Sequence, residues 1–203
     1  MRGLLIKDLC VLNRQMRFFV IMMILFAVTG EHFLQGFALM YCGLFPLTLL
    51  TFDEQVRWRQ YEVMLPYKTR DIVMSKYLIG ICAAAIEAVL AVTAVLIRIL
   101  ITKGNLSELP ERVWIIGVVL CTAVLMMNIY MPMVYKWGVE KGRFLYILIS
   151  IGSAMAIVSL LDNADFLMLV DTQITLAGFA LAAVVTLPVS INLSEKSYLS
   201  KLI

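Results

Sequence analysis

Charged residues are scarce in this sequence. Asp, Glu, Lys and Arg make up 15% of the 203 residues, whereas 62% are hydrophobic and the mean hydropathy is +0.93. A soluble domain is nearer a quarter charged and half apolar. A soluble domain of this size also leaves much of its surface in water, so it has no core large enough to hide this excess. The composition therefore indicates an integral membrane protein.

Residues and motifs of particular chemistry are missing as well. The only histidine is His32, which excludes a two-histidine metal site within the chain. The four cysteines form no CxxC pair, which argues against a zinc or redox role. There is no HExxH and no GxxxxGK[ST] phosphate loop, and the sequence also lacks a GxSG serine. The net charge of +3, without a basic stripe, argues against nucleic acid as a partner. We therefore expect no enzyme, no metal site and no cofactor in this chain.

Six apolar runs are present, at residues 18–30, 33–52, 72–101, 113–135, 144–161 and 174–193. Crossing the hydrocarbon layer takes about 20 helical residues. The second, fourth and sixth runs have that length and the fifth is near it, while the third is longer and should tilt or project into the cytoplasm. The first run is short, but Arg17 can snorkel at its end. We predict an all-α polytopic protein with about six transmembrane helices.

The distribution of Lys and Arg predicts the orientation. Basic clusters precede the first run, follow the second, separate the fourth from the fifth and follow the sixth. The opposite side holds only Arg98, Lys103 and Arg112. Both termini are therefore predicted to be cytoplasmic.

The opening segment, residues 1–17, is predicted to be an interfacial helix. It places Leu5, Leu9, Leu12 and Met16 on one helical face, away from its basic residues. The alternative is a polar leader that only anchors the first span.

Residues 53–72 form the longest polar stretch, and their mixed charges differ from those of a polybasic lipid-binding segment. Apolar residues recur there at helical spacing: Trp58, Tyr61, Met64 and Leu65. This spacing predicts a short amphipathic helix that Pro66 ends, followed by a helix capped by Thr69 with Asp71 in its first turn. Such a helix suits protein docking, and the alternative is a helix resting among lipid headgroups.

Three residues of the apolar runs are candidates for a translocation path: Glu87, Asn128 and Pro132. A carboxylate at the depth of Glu87 costs about 2.5 kcal/mol or more, so it should face the bundle interior or a wet cavity. It either lines the path or the subunit interface, or is a protonated, hydrogen-bonded structural group, with Asn128 as a plausible partner. Pro132 should kink its helix and free a carbonyl near Asn128.

The stretch YEVMLPYKTRDIVMSKYLIG (61–80), the opening MRGLLIKDL (1–9) and the six-run layout resemble a known family. They are similar to small bacterial permease subunits of type-2 (ABC-2-like) ABC exporters, including those of phenol-soluble-modulin exporters. The resemblance implies that an interfacial helix packs beside a coupling helix, here residues 57–65, which sits in a groove of a separate ATPase. The residues it assigns to coupling are Arg57, Trp58, Tyr61, Met64, Leu65, Pro66, Arg70 and Asp71, with Lys7 and Asp8 in the opening helix. Lys76 also matches the family's sequence pattern.

The resemblance also implies a function. Residues 1–203 would form one permease domain: the interfacial helix (1–17), spans 1–2 (18–52), the coupling loop (53–72), and spans 3–6 with a short tail (73–203). The chain would be a half-permease in the bacterial plasma membrane, paired with an identical or related permease subunit. ATP and Mg²⁺ would be bound by the partner ATPase. The alternatives are a six-span substrate-binding subunit of an importer, or an immunity or structural membrane protein.

Overall fold

The computed structural model describes residues 2–15, 17, 21, 24–25, 42–62, 64–102, 109–162 and 172–200. Seven α-helices are bounded within these residues, and residues 17, 21, 24–25 and 42 are helical as well. The seven helices are α1 (Arg2–Gln15), α2 (Leu44–Gln55), α3 (Trp58–Glu62), α4 (Thr69–Thr102), α5 (Leu109–Trp137), α6 (Val139–Asp162) and α7 (Thr172–Leu199). The predicted all-α class is confirmed for this part of the chain.

Three helices in the described part are long and apolar enough to cross a membrane, over Thr69–Ile101, Arg112–Trp137 and Thr175–Leu199. They correspond to the third, fourth and sixth predicted runs. With 34 residues, α4 is about 51 Å long at 1.5 Å per residue, well beyond the hydrocarbon layer. The predicted fifth run lies within the single helix α6. The first run lies almost wholly outside the described residues and the second is described only from residue 42, so six spans and cytoplasmic termini stay predictions.

The start of α4 differs slightly from the prediction. The carbonyl of Lys68 accepts hydrogen bonds from the N–H groups of Asp71 (2.9 Å) and Ile72 (3.3 Å). Lys68 is therefore the N-cap residue, and the prediction that Thr69 caps this helix is wrong. Asp71 lies in the first turn as predicted, where its negative carboxylate interacts favourably with the positive end of the helix dipole.

The helices α2, α4 and α5 approach one another closely at Gly80. A Cβ atom on Gly80 would lie 2.6 Å from Pro46 Cγ of α2 and 2.6 Å from Met127 Sδ of α5. The absence of a side chain therefore permits this three-helix contact. The main core lies next to this contact and includes Tyr77 and Tyr130, whose side chains are fully buried.

Pro132 lies inside α5 and cannot donate a hydrogen bond to the carbonyl of Asn128, four residues earlier. Ser190 Oγ of α7 donates to that carbonyl at 2.5 Å. The predicted free carbonyl is confirmed. A hydroxyl of the last helix satisfies it, which agrees with the way proline is accommodated in membrane helices.

Candidate functional site

Four charged side chains from three helices meet at the foot of α4, and we call them the basal cluster: Lys7, Asp8, Asp53 and Lys76. Lys76 Nζ lies 2.7 Å from Asp8 Oδ1 and 2.6 Å from Asp53 Oδ2. Lys7 Nζ lies 3.0 Å from Asp8 Oδ1 and 2.7 Å from Asp53 Oδ1. The cluster thus ties α1, α2 and α4 together, and it contains the three residues of the family pattern that lie outside the coupling loop.

The basal cluster balances its charges within itself. The side chain of Asp8 is 0% exposed and that of Lys76 is 2% exposed, so neither charge is solvated by water. Burial disfavours the ammonium of Lys7, but the hydrogen bonds and charges of Asp53 and Asp8 outweigh this and raise its pKa above the ordinary value. Buried ions are tolerated when they are paired and hydrogen-bonded in this way, and removing one partner is costly.

The inward side of α1 consists of residues four apart, which lie one above another on a helix. Leu4 is buried in the main core with Ile72, and Asp8 belongs to the basal cluster. Leu12 packs against the small cluster of Cys42, Phe45 and Ala84. Of the three inward residues of α1, only Leu12 belongs to the predicted apolar face. Leu9, which also belongs to that face, is exposed. The placement of α1 along the membrane surface, with the predicted apolar face toward the lipid, stays a prediction.

The coupling segment, residues 57–65, is less helical than predicted. The helix α3 covers only Trp58–Glu62, and the N–H groups of Met64 and Leu65 bond to the carbonyls of Tyr61 and Glu62 in the turn that follows. Arg57 has φ +52°, a left-handed conformation that separates α2 from α3. The segment is thus a short helix that follows a left-handed residue and ends in a turn.

This segment has an outward apolar face. The side chains of Tyr61, Met64 and Leu65 are exposed, Met64 to 83%. Arg57, Pro66 and Arg70 are exposed beside them, and Asp71 is half-buried. The predicted docking residues of the coupling loop are therefore accessible with one exception, whereas Lys7 and Asp8 of the opening helix are largely buried in the basal cluster.

Trp58 is the exception, because it faces the protein. It is half-buried, its Nε1 donates to Glu62 Oε1 at 3.2 Å, and Lys7 Nζ lies 4.5 Å from its ring centroid. A cation over an indole face is attracted by the ring electrons. Placing Trp58 with Met64 and Leu65 on one exposed helical face was wrong, because the helix α3 ends at Glu62 and the residues that follow lie in a turn and do not continue its face.

Glu62 is a site residue that the sequence analysis missed. It is 6% exposed, and its Oε2 accepts a hydrogen bond from the Tyr198 hydroxyl of α7 at 2.9 Å. Burial raises the pKa of Glu62, and the hydrogen bond from Tyr198 offsets this only in part. Its position four residues after Trp58, on the same side of a helix, was the available signal.

Glu87 and Asn128 do not form the predicted pair. Asn128 Nδ2 donates to Ala183 O (3.1 Å) and Thr186 Oγ1 (3.0 Å), both in α7. Glu87 is fully buried, and neither of its oxygens has a hydrogen-bond partner among the described residues. Asn128 therefore joins α5 to α7, and a path role for Glu87 stays a prediction.

Comparison with protein families identifies the chain. A family model described as ABC-2 family transporter protein matches residues 3–198. The chain belongs to this family. Its members are membrane-embedded permeases of ABC transporters, and they generally provide the transmembrane part rather than a catalytic one. Searches of curated proteins and of solved structures gave no match.

Proposed function

We propose that this ABC-2 family chain is the half-permease of an ATP-driven exporter, similar to the permeases of phenol-soluble-modulin exporters. Residues 1–203 form one permease domain with six spans and both termini in the cytoplasm of a bacterium. A second permease subunit completes the translocation path, and separate ATPase subunits bind ATP and Mg²⁺. The observation that carries this proposal is the exposed apolar face of the coupling segment, since such a face on a polar loop suits a protein partner.

The contacts of the coupling segment support a role in energy coupling. The outward face of Tyr61, Met64 and Leu65 would meet the ATPase, with the positive charges of Arg57 and Arg70 at its rim. Behind this face, Trp58 contacts Lys7 of the basal cluster. A displacement of the segment would therefore be passed to α1 and, through the buried ion pairs, to α2 and α4.

Within the membrane we assign Glu87, Asn128 and Pro132 to the path or to its moving wall. Pro132 and Asn128 lie where the regular hydrogen bonds of α5 are replaced by bonds to α7. Such a site can rearrange without leaving backbone groups unpaired. Glu87 is the buried carboxylate of α4 nearest the middle of that span, and intramembrane ionisable groups commonly mark transport pathways.

The test is a purification of the full-length chain from its native cells in mild detergent, with mass spectrometry of its partners. We expect a soluble ATPase with a phosphate loop to be recovered. The Tyr61→Ala/Met64→Ala variant should weaken its recovery by about tenfold or more, because exposed aromatic and apolar anchors dominate such interfaces. Charge reversal of Arg70 and Asp71 should lower nucleotide hydrolysis by the complex while membrane insertion is unchanged.

Val184→Ala is the matched control, because this exposed apolar side chain lies within a spanning helix, out of reach of a soluble protein. Recovery of the intact chain without any ATPase would refute the transporter proposal and favour a substrate-binding or immunity protein. Equal recovery of the ATPase by the control and by Tyr61→Ala/Met64→Ala would refute the docking face.

A further inference from the structure

The inward side of the coupling segment has a second attachment, which leads to the last helix. Trp58 contacts α1 through Lys7, whereas Glu62 accepts a hydrogen bond from Tyr198 of α7. Glu62 and Tyr198 are separated by 136 positions in the sequence, and the hydrogen bond between them is buried. A hydrogen bond to a carboxylate is among the stronger ones, and shielding from water strengthens it further.

Tyr198 is firmly held at its position. It is a buried member of the main core, and its ring meets that of Tyr135 edge-on, with centroids 6.0 Å apart. Glu62 and Tyr198 also border the same cavity as Asp53 and Lys76, which places the contact beside the basal cluster. The hydroxyl of Tyr198 is therefore a fixed point to which the coupling segment is attached.

Two further hydroxyls follow Tyr198 along one face of α7, at intervals of four residues: Ser194 and Ser190. The Tyr77 hydroxyl of α4 hydrogen-bonds both, at 2.9 Å and 2.5 Å. Ser190 also donates to the Asn128 carbonyl that Pro132 leaves free in α5. This hydroxyl face of α7 (Ser190, Ser194 and Tyr198) thus connects the coupling segment to the interrupted turn of α5.

We infer that Glu62 and Tyr198 are positioning residues that join the coupling segment to α7, so that a displacement of the segment moves the hydroxyl face of α7 directly. This inference rests on the proposed function, since it needs an ATPase that displaces the segment. It adds a route through the last helix to the route through α1, α2 and α4. The contact is inward, so it is separate from the outward face that would bind the ATPase.

The test compares Tyr198→Phe with Tyr135→Phe. Both remove one hydroxyl from a buried tyrosine of the same aromatic pair, but the Tyr135 hydroxyl has no hydrogen-bond partner among the described residues. In a background with cysteines replaced by serine, spin labels at Lys141→Cys (α6) and Leu193→Cys (α7) report the distance between the two helices. The distance is measured in the complex with the copurified ATPase, without nucleotide and after trapping with ATP and vanadate.

We expect trapping to change this distance in the parent and in Tyr135→Phe, and the change to be lost in Tyr198→Phe while the ATPase is still recovered. Glu62→Ala should lose the change too. Glu62→Gln should retain it, because an amide can accept from Trp58 and donate to Tyr198.

A nucleotide-dependent change that persists in Tyr198→Phe and Glu62→Ala would overturn the inference and leave the proposed function intact. A parent complex that shows no change on trapping would overturn it as well. Failure to recover any ATPase with the parent would overturn the proposed function, and the inference with it. If Tyr198→Phe does not fold, the comparison of Glu62→Ala with Glu62→Gln decides the question in the same way.

Discussion

Removing the ammonium of Lys76 should be among the most damaging single changes in this protein. Lys76 contacts both carboxylates of the basal cluster, at 2.7 Å to Asp8 and 2.6 Å to Asp53. In Lys76→Met the side chain keeps a similar length but loses its charge. The cluster then holds one cation, Lys7, against two carboxylates, one of which is fully buried.

The expected magnitude follows from that imbalance. Removing one partner of a buried ion pair costs about 3–5 kcal/mol, because the other charge is left without compensation. For a chain of about this length, 1 kcal/mol shifts the melting temperature by about 2–4 °C. We therefore expect Lys76→Met to lower the melting temperature by roughly 6–20 °C. Adding Asp8→Asn restores neutrality and leaves the Lys7–Asp53 pair at 2.7 Å.

The assay is thermal unfolding of the purified chain in one detergent, for both single variants, the double variant and Lys141→Met. Lys141 is an exposed lysine of α6, so its replacement controls for the loss of a positive charge at the surface. The double variant should be more stable than the sum of the two single losses predicts, by about 1–3 kcal/mol. Additive losses, or a Lys76→Met protein as stable as Lys141→Met, would refute the ion-pair reasoning.

Three further predictions concern single positions. Arg57→Gly should stabilise the chain by about 1 kcal/mol, because glycine adopts the left-handed backbone at φ +52° without strain. Arg57→Ala deletes the same charge and should not stabilise the chain. Equal melting temperatures of these two variants would contradict this. Gly138→Ala should lower the stability by about 1 kcal/mol, because φ is +94° there. Gly152→Ala, inside α6, should raise it by up to about 1 kcal/mol. A Cβ atom at either position would meet no neighbouring atom within 4 Å, so thermal unfolding of the two variants isolates the backbone effect. The raised pKa of Glu62 means that its contribution to stability is fully present below its ordinary value of 4.5 and is lost as the pH rises through the folded-state pKa. The melting temperature of Glu62→Gln should therefore gain on that of the parent as the pH rises above the ordinary pKa of 4.5, and a constant difference would contradict the shift.

The membrane-spanning helices were predictable because their signal is continuous. A run of apolar residues long enough to cross a bilayer can hardly form anything but a helix there, since no water is available to the backbone. The start of α4 and the free carbonyl at Asn128 were predictable for a similar reason. Proline removes a backbone N–H donor, and the residues before a helix determine where its first hydrogen bonds begin. Both effects depend largely on neighbouring residues in the sequence. Only the exact capping residue, Lys68 in place of Thr69, was beyond that reasoning.

The side-chain partners were harder to predict because they depend on how distant helices meet. The resemblance marked Lys7, Asp8 and Lys76 as family residues, but nothing local indicates that Asp53 closes the cluster, since it lies 46 positions from Lys7. Asn128 was expected to bond across helices and does so, but to α7 and not to Glu87. A polar residue in an apolar run indicates that a hydrogen-bond partner is needed, but only the packing of the helices determines which helix supplies it.

The coupling segment shows why both of its sides must be considered when its function is tested. A helix of five residues is far too short to be stable alone, because forming the first turn costs more conformational freedom than its few hydrogen bonds return. Its shape must therefore come from its attachments, which are Trp58 to Lys7 and Glu62 to Tyr198. A change at Glu62 would then weaken an attachment while the side chains of the docking face stay the same, whereas a change at Met64 would alter the face and leave the attachments whole. Docking and transmission are separable only by comparing inward with outward substitutions. Residues 58 and 62 face inward and residues 61, 64 and 65 face outward, so this one short segment allows the comparison.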